Sequence, residues 1–232
     1  MNLDIIDVSK FKGGANRRYK NKSKLMPKFP FNLLVCGKTN SGKSCMVLNL
    51  IYRLLSFSKL YFWSRHLNQP EIKAMVEFFE KAEEKCGDKI LYTGDNLEEL
   101  PPMDEFSPEH QNLLVIDDFL GDPMFDVVEP YIYSGRHRSI SCIIITQQFV
   151  GVSRRTRLNC SNFCFFNINS GRELTNLYNE LGQNCESKEE FIRKFKKATE
   201  KRYDFFYVDQ QTKIKELMYI GVVSIKIISK LL

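Results

Sequence analysis

Along this chain the apolar residues gather into short unbroken runs instead of alternating with polar ones. Residues 31–37 (FNLLVCG), 59–65 (KLYFWSR), 89–94 (KILYTG), 112–119 (NLLVIDDF), 140–148 (ISCIIITQQ) and 162–168 (NFCFFNI) each read as a strand, and a strand with no polar face is one covered on both sides. Residues 204–209 (DFFYVD) make a late strand. Between these runs the period changes. Val47, Leu50, Ile51, Leu54 and Leu55 recur at helical spacing, which predicts an amphipathic helix over 43–55. Pro70 opens a second helix over 70–86 with Glu/Lys pairs along one face, and a helical pattern returns over 171–202. Residues 97–106 are a connection broken by Pro101 and Pro102. Doubly covered strands alternating with helices predict an α/β fold with a mostly parallel central sheet and helices on both faces.

One domain over residues 31–210 accommodates this pattern. Residues 1–30 are polar and basic, and the stretch 17–24 (RRYKNKSK) has no acid, so they are expected to form a solvated arm able to touch phosphates. Residues 211–232 carry an apolar run interrupted by Lys226 and Lys230. It falls short of the roughly 20 residues a spanning helix needs, so it reads as a strand or packing segment with no membrane partner. The N-terminal residues lack the apolar core of a secretory leader.

Composition narrows the chemistry. The 232 residues are 43% hydrophobic, enough for a sizeable core, and the net charge of +6 tilts mildly toward polyanions. The cysteine count is odd at seven, no CxxC occurs, and several cysteines lie inside the apolar runs. A reducing compartment is expected, with thiols acting as small buried hydrophobes. Cys160 and Cys164 would share a strand face, but two thiols alone make a poor zinc site.

Residues 37–44, GKTNSGKS, satisfy GxxxxGK[ST] and have a strand before and a helix after. Gly37 and Gly42 let successive amides of Lys38, Thr39, Asn40 and Ser41 turn inward toward phosphate oxygens. The helix start running through Lys43, Ser44 and Cys45 adds its positive end. Lys43 supplies a cation for the β- and γ-phosphates of ATP, and Ser44 a hydroxyl for Mg²⁺. The run 112–119 ends in Asp117 and Asp118 at the edge where open α/β sheets bind ligands. Asp117 is the expected Mg²⁺ partner, and Asp118 is placed to orient or deprotonate a water. Gln147, at the tip of the next strand, would sit between the aspartates and the phosphate loop and sense the γ-phosphate. Two strand runs lie between the phosphate loop and Asp117, an arrangement that resembles the additional-strand class of P-loop ATPases. Residues 130–172 hold six arginines and no lysine or acid. Arg136 or Arg138 is expected to reach a neighbouring subunit's nucleotide, and Arg154, Arg155 and Arg157 to face a nucleic-acid backbone. His137 reads as a packing or hydrogen-bonding residue.

In their order and spacing, GKTNSGKS, LLVIDDF and SGRHRSISCIIITQQ resemble the viral genome-packaging ATPases of the FtsK–HerA superfamily, compact enzymes of large eukaryotic DNA viruses, virophages and Polinton-like elements. The resemblance covers about residues 28–210 and includes the late strand. It implies a RecA/FtsK-like core and a homo-oligomeric ring that hydrolyses ATP to drive double-stranded DNA into a preformed capsid. It also implies capsid or portal-vertex partners and action in the interior of an infected host cell. By motif position Lys43 and Ser44 would hold nucleotide and metal, Asp117 the metal, Asp118 the catalytic carboxylate's place, Gln147 the sensor's, and an arginine of 136–138 the trans contact. Cellular relatives carry Glu where this chain has Asp118. A cellular-type translocase or helicase, a nucleoside or nucleotide kinase and a non-hydrolysing nucleotide switch remain alternatives on the residues alone.

Overall fold

The computed structural model describes residues 26–210 and 219–221. The basic stretch 17–24 and most of the apolar run after residue 210 lie outside the described residues. In chain order the elements are β1 (Asn32–Cys36), α1 (Lys43–Asn49), β2 (Lys59–Ser64), α2 (Pro70–Cys86), β3 (Leu91–Gly94), β4 (Asn112–Asp117), α3 (Glu129–Ser134), β5 (Ile140–Thr146), α4 (Arg154–Asn159), β6 (Asn162–Phe166), α5 (Gly171–Leu181), α6 (Lys188–Ala198), β7 (Phe205–Asp209) and β8 (Tyr219–Gly221).

The strands form one sheet in the order β3-β2-β4-β5-β1-β6-β7-β8. β3 through β6 in that order are parallel, whereas β6–β7 and β7–β8 are antiparallel. The phosphate-loop strand β1 and the aspartate strand β4 are therefore separated by β5, the arrangement expected of the additional-strand class. The intervening strand is the one that follows Asp117 in sequence; the two strands that precede it, β2 and β3, lie beyond β4.

Both faces of the sheet are covered, as the unbroken apolar runs require. One face buries Leu33, Val35 and Val115 against Val47 and Ile51, and against Ile72 and Met75 of α2. The other buries Leu34, Ile116 and Phe165 against Ile132 of α3, Leu177 of α5 and Phe191 and Phe195 of α6. Each such side chain contributes about 2 kcal/mol relative to exposure. Residues 26–30 join this packing: Pro27 is buried and the Phe29 ring lies 5.0 Å from that of Phe31.

Local differences from the sequence pattern have identifiable causes. The helix expected over 43–55 widens after Asn49 into a π turn at Leu50–Leu54, with Leu55 N donating to Leu50 O at 2.9 Å. The helical stretch expected over 171–202 divides at Gly182, where a side chain would come within 2.3 Å of the Tyr178 ring. It then stops at Ala198, leaving 199–204 as a turn into β7. Cys160 and Cys164 do not share a face. β6 begins only at Asn162, so Cys160 joins the core layer of Phe163 and Cys164 the opposite one. All seven cysteines are free. Burial pushes the thiols of Cys36 and Cys160 up to about 12, so they remain protonated packing groups.

Candidate functional site

Parallel strands end together, so β1, β2, β4, β5 and β6 all deliver their C-terminal residues to one edge of the sheet. The loop after β1 begins with Gly37 N donating to Thr146 O at 3.2 Å. A Cβ on Gly37 would lie 2.7 Å from both Phe166 Cβ and Ser41 Oγ, so only glycine allows the loop to seat on β6. Asn40 (φ 59) and Gly42 (φ 97) turn through the left-handed region, and Ser41 N donates back to Lys38 O at 3.2 Å. α1 then starts with no side-chain cap and no acid in its first turn, so its positive end has no internal counter-charge. Lys43 Nζ reaches back over the loop to Lys38 O at 2.8 Å. Ser41 Oγ is buried with no hydrogen-bond partner among the described residues. An uncapped helix start, an orphaned hydroxyl and a lysine satisfied by one carbonyl fit a polyphosphate. Ser44 lies in the first turn of α1, and Cys45 beside it is exposed.

Asp117 sits at the end of β4, buried, with Ser64 Oγ of β2 donating to its Oδ2 at 3.2 Å. Burial pushes its pKa up; the Ser64 bond opposes this, Asp118 adds to it, and Lys43 and His66 oppose it. Lys43 feels the reciprocal field. Burial lowers its pKa, while Asp117 and then Asp118 pull it back up. Asp118 adopts a left-handed backbone (φ 61), a conformation aspartate tolerates, and this turns its carboxylate off the strand axis. Gln147 Nε2 donates to Asp118 Oδ1 at 3.2 Å while Gln147 Oε1 accepts from Thr39 Oγ1 at 3.2 Å. One amide thus bridges the aspartate and the phosphate loop, as its place at the tip of β5 led us to expect.

The sequence reading missed His66. Its Nε2 lies 3.3 Å from Asp118 Oδ2, and its backbone N donates to Ser64 Oγ at 3.1 Å. It stands two residues past the end of β2, at the same sheet edge; that position was the available signal.

The arginines do not gather here. Arg136 is exposed, Arg138 half-buried and His137 exposed in a 3₁₀ turn before β5, so of the two roles expected of His137, packing or hydrogen bonding, packing does not apply. Asn112 Nδ2, at the start of β4, donates to Arg138 O at 2.9 Å. Arg136 and Arg138 therefore flank the N-terminal edge of the sheet, about 17 Å along β4 from Asp117, and are not brought to their own chain's phosphate loop.

Arg154 is exposed, and Arg155 stacks over Tyr133 at 4.2 Å. Arg157 is buried and forks onto Glu180 of α5, with Nε 2.8 Å from Oε2 and Nη2 2.6 Å from Oε1. It also donates to Val152 O and lies 4.9 Å over the Phe149 ring. Arg157 is a structural clamp, not a backbone-gripping residue, because every face of its guanidinium is used internally. Arg157→Ala is expected to destabilise the fold by about 3 kcal/mol, measured by denaturant unfolding. A loss confined to DNA affinity, with unfolding unchanged, would contradict this role.

Residues 17–219 match the model described as Poxvirus A32 protein. The chain belongs to that family. It is 25% identical over 157 residues to the DNA packaging protein OPG160 of Variola virus and of Vaccinia virus, covering 61% of this chain and 54% of the relative in each case. The chain thus spans about half the length of these relatives. Among solved structures it resembles the genome packaging NTPase B204 of Sulfolobus turreted icosahedral virus 2 in complex with AMPPCP (TM-score 0.55, 16% identity, 82% of this chain and 96% of that one). It also resembles the DNA-packaging ATPase B204 of Sulfolobus turreted icosahedral virus (TM-score 0.53, 13% identity, 81% and 96%). At these identities the likeness establishes the fold, that of a P-loop NTPase. Among the described residues no helix is long and apolar enough to cross a membrane, and no group of three or more His, Cys, Asp or Glu could hold a metal ion.

Proposed function

We propose that this A32-family chain is an ATP-hydrolysing motor that moves double-stranded DNA without reading its sequence, in the service of packaging a viral genome. The observation that carries the reading is the bridge from Thr39 through Gln147 to Asp118, which ties a phosphate loop to a carboxylate poised beyond it. ATP is held by the amides of residues 37–45 and by Lys43. Ser44 and Asp117 would hold Mg²⁺, which would neutralise charge on the phosphate oxygens. Asp118 accepts a proton from a water whose oxygen attacks the γ-phosphorus, and the β–γ bridging oxygen leaves with ADP. Gln147 and His66, both on Asp118, fix its orientation.

In a homo-oligomeric ring, Arg136 or Arg138, neither of which is brought to its own chain's phosphate loop, would complete the neighbour's site. Arg136, Arg154, Arg155 and Arg172 are exposed and offer charge to a phosphate backbone. Capsid or portal-vertex proteins are the partners such a motor would need, and the interior of an infected host cell is its place of action. A motor of this kind turns over ATP faster when duplex DNA is present, at low ionic strength and irrespective of base sequence, with the stimulation fading as salt rises. Phosphate release by the purified chain with and without duplexes of unrelated sequence tests this. Equal rates in both conditions sink the motor reading, and phosphate transfer to nucleosides replaces it with a kinase.

A further inference from the structure

The turn Lys201–Asp204, between α6 and β7, carries an aromatic residue in a conformation aromatic residues avoid. Asp204 N donates to Lys201 O at 3.1 Å, closing a four-residue turn. Tyr203, its third residue, has φ 70, where such turns normally place glycine or asparagine. A bulky side chain there is an outlier, and outliers of this kind collect at ligand sites. Its ring is not rescued by burial: Tyr203 is 53% exposed, one of few large hydrophobics so open among the described residues.

What the strained backbone achieves is position. β7 runs antiparallel to β6, with Phe205 paired to Phe166, so the turn arrives at the same sheet edge as the phosphate loop. A Cβ on Gly42 would meet Tyr203 Cδ1 at 3.0 Å and Tyr203 Cβ at 3.7 Å. The tyrosine therefore lies directly against the last glycine of the phosphate loop. The turn is anchored from behind, with Asn167 Nδ2 donating to Thr199 O at 3.3 Å and the Phe166 and Phe205 rings 5.6 Å apart. The Arg202 guanidinium lies 4.7 Å over the Tyr203 ring. The pair offers a planar, partly cationic, open surface beside the start of α1.

We infer that Tyr203, layered with Arg202, is the platform on which the nucleobase of the bound nucleotide stacks. The inference rests on the phosphate-loop reading above and adds the base subsite to it. Stacking on an aromatic face accepts any base, so ATP and GTP gain alike, while a polyphosphate lacking a base gains nothing.

The test compares ATP with inorganic tripolyphosphate by calorimetry on the full chain. Tyr203→Ala is expected to weaken ATP about tenfold and leave tripolyphosphate unchanged, and Tyr203→Trp to keep ATP binding. Tyr203→Gly relieves the backbone strain while removing the ring; it is expected to fold at least as stably as the parent and to lose ATP affinity as Tyr203→Ala does. Unchanged ATP affinity in Tyr203→Ala and Tyr203→Gly overturns the inference, and so does an equal loss for both ligands. Lys43→Ala separates this from the underlying reading. It should lose both ligands, and undiminished tripolyphosphate binding in Lys43→Ala overturns the phosphate loop and the base platform together.

Discussion

Asp118→Asn is expected to slow ATP turnover by about 10³-fold while ATP binding survives. Asparagine keeps the shape of the side chain, and its carbonyl oxygen can still accept from Gln147 Nε2, which lies 3.2 Å from Asp118 Oδ1. What it cannot do is take a proton from water. Removing one negative charge from the neighbourhood of Lys43 favours the bound triphosphate, so affinity holds or tightens. Phosphate release measures the first effect and calorimetry the second. Turnover within tenfold of the parent would move the base elsewhere. Asp117→Asn is a poor substitute for this experiment, because Asp117 is buried on Ser64 and its loss mixes metal binding with packing.

Lys43→Ala is expected to weaken ATP at least about 100-fold, or roughly 3 kcal/mol, the scale of a charge-assisted hydrogen bond lost from a half-buried site. Burial lowers the Lys43 pKa, and the fields of Asp117 and then Asp118 oppose that shift. Lys43 and the two aspartates thus already interact before any phosphate arrives. Alanine leaves Lys38 O without its donor and removes a cation whose field both aspartates feel, and the loss of binding is expected with only a small fall in melting temperature. ATP affinity by calorimetry and melting by circular dichroism keep the two apart. Retained affinity would mean that the loop amides alone hold the triphosphate.

The elements easiest to read were those whose burial is total. β1, β4 and β5 consist almost wholly of apolar residues because no face of them meets water, and the turn chemistry of residues 37–44 needs glycine at fixed places. The site residues that could be named, Lys43, Asp117, Asp118 and Gln147, all sit at the C-terminal ends of such strands or where the loop after β1 enters α1. Strand order was harder. Which parallel strand lies beside which depends on how crossovers pack, and nothing within β2 or β3 says that they lie outside β4. Arg157 looked like its exposed neighbours because its partner Glu180 is 23 residues away, and a buried fork declares itself only in three dimensions. His66 and Tyr203 were passed over for a related reason. Each is a lone residue in a connection, and its meaning comes from the sheet edge to which that connection is delivered.

The central strand β1 has β5 on one side and β6 on the other, and this divides the labour of gripping. Gln147 and the aspartates stand on the β5 side, where the terminal phosphate would be; Tyr203 stands on the β6 side, where its loss goes unnoticed. After cleavage one hand has let go and the other has not. Spent ADP would linger on Tyr203, so the tempo of such an engine would be set by expelling its ash, not by lighting its fuel.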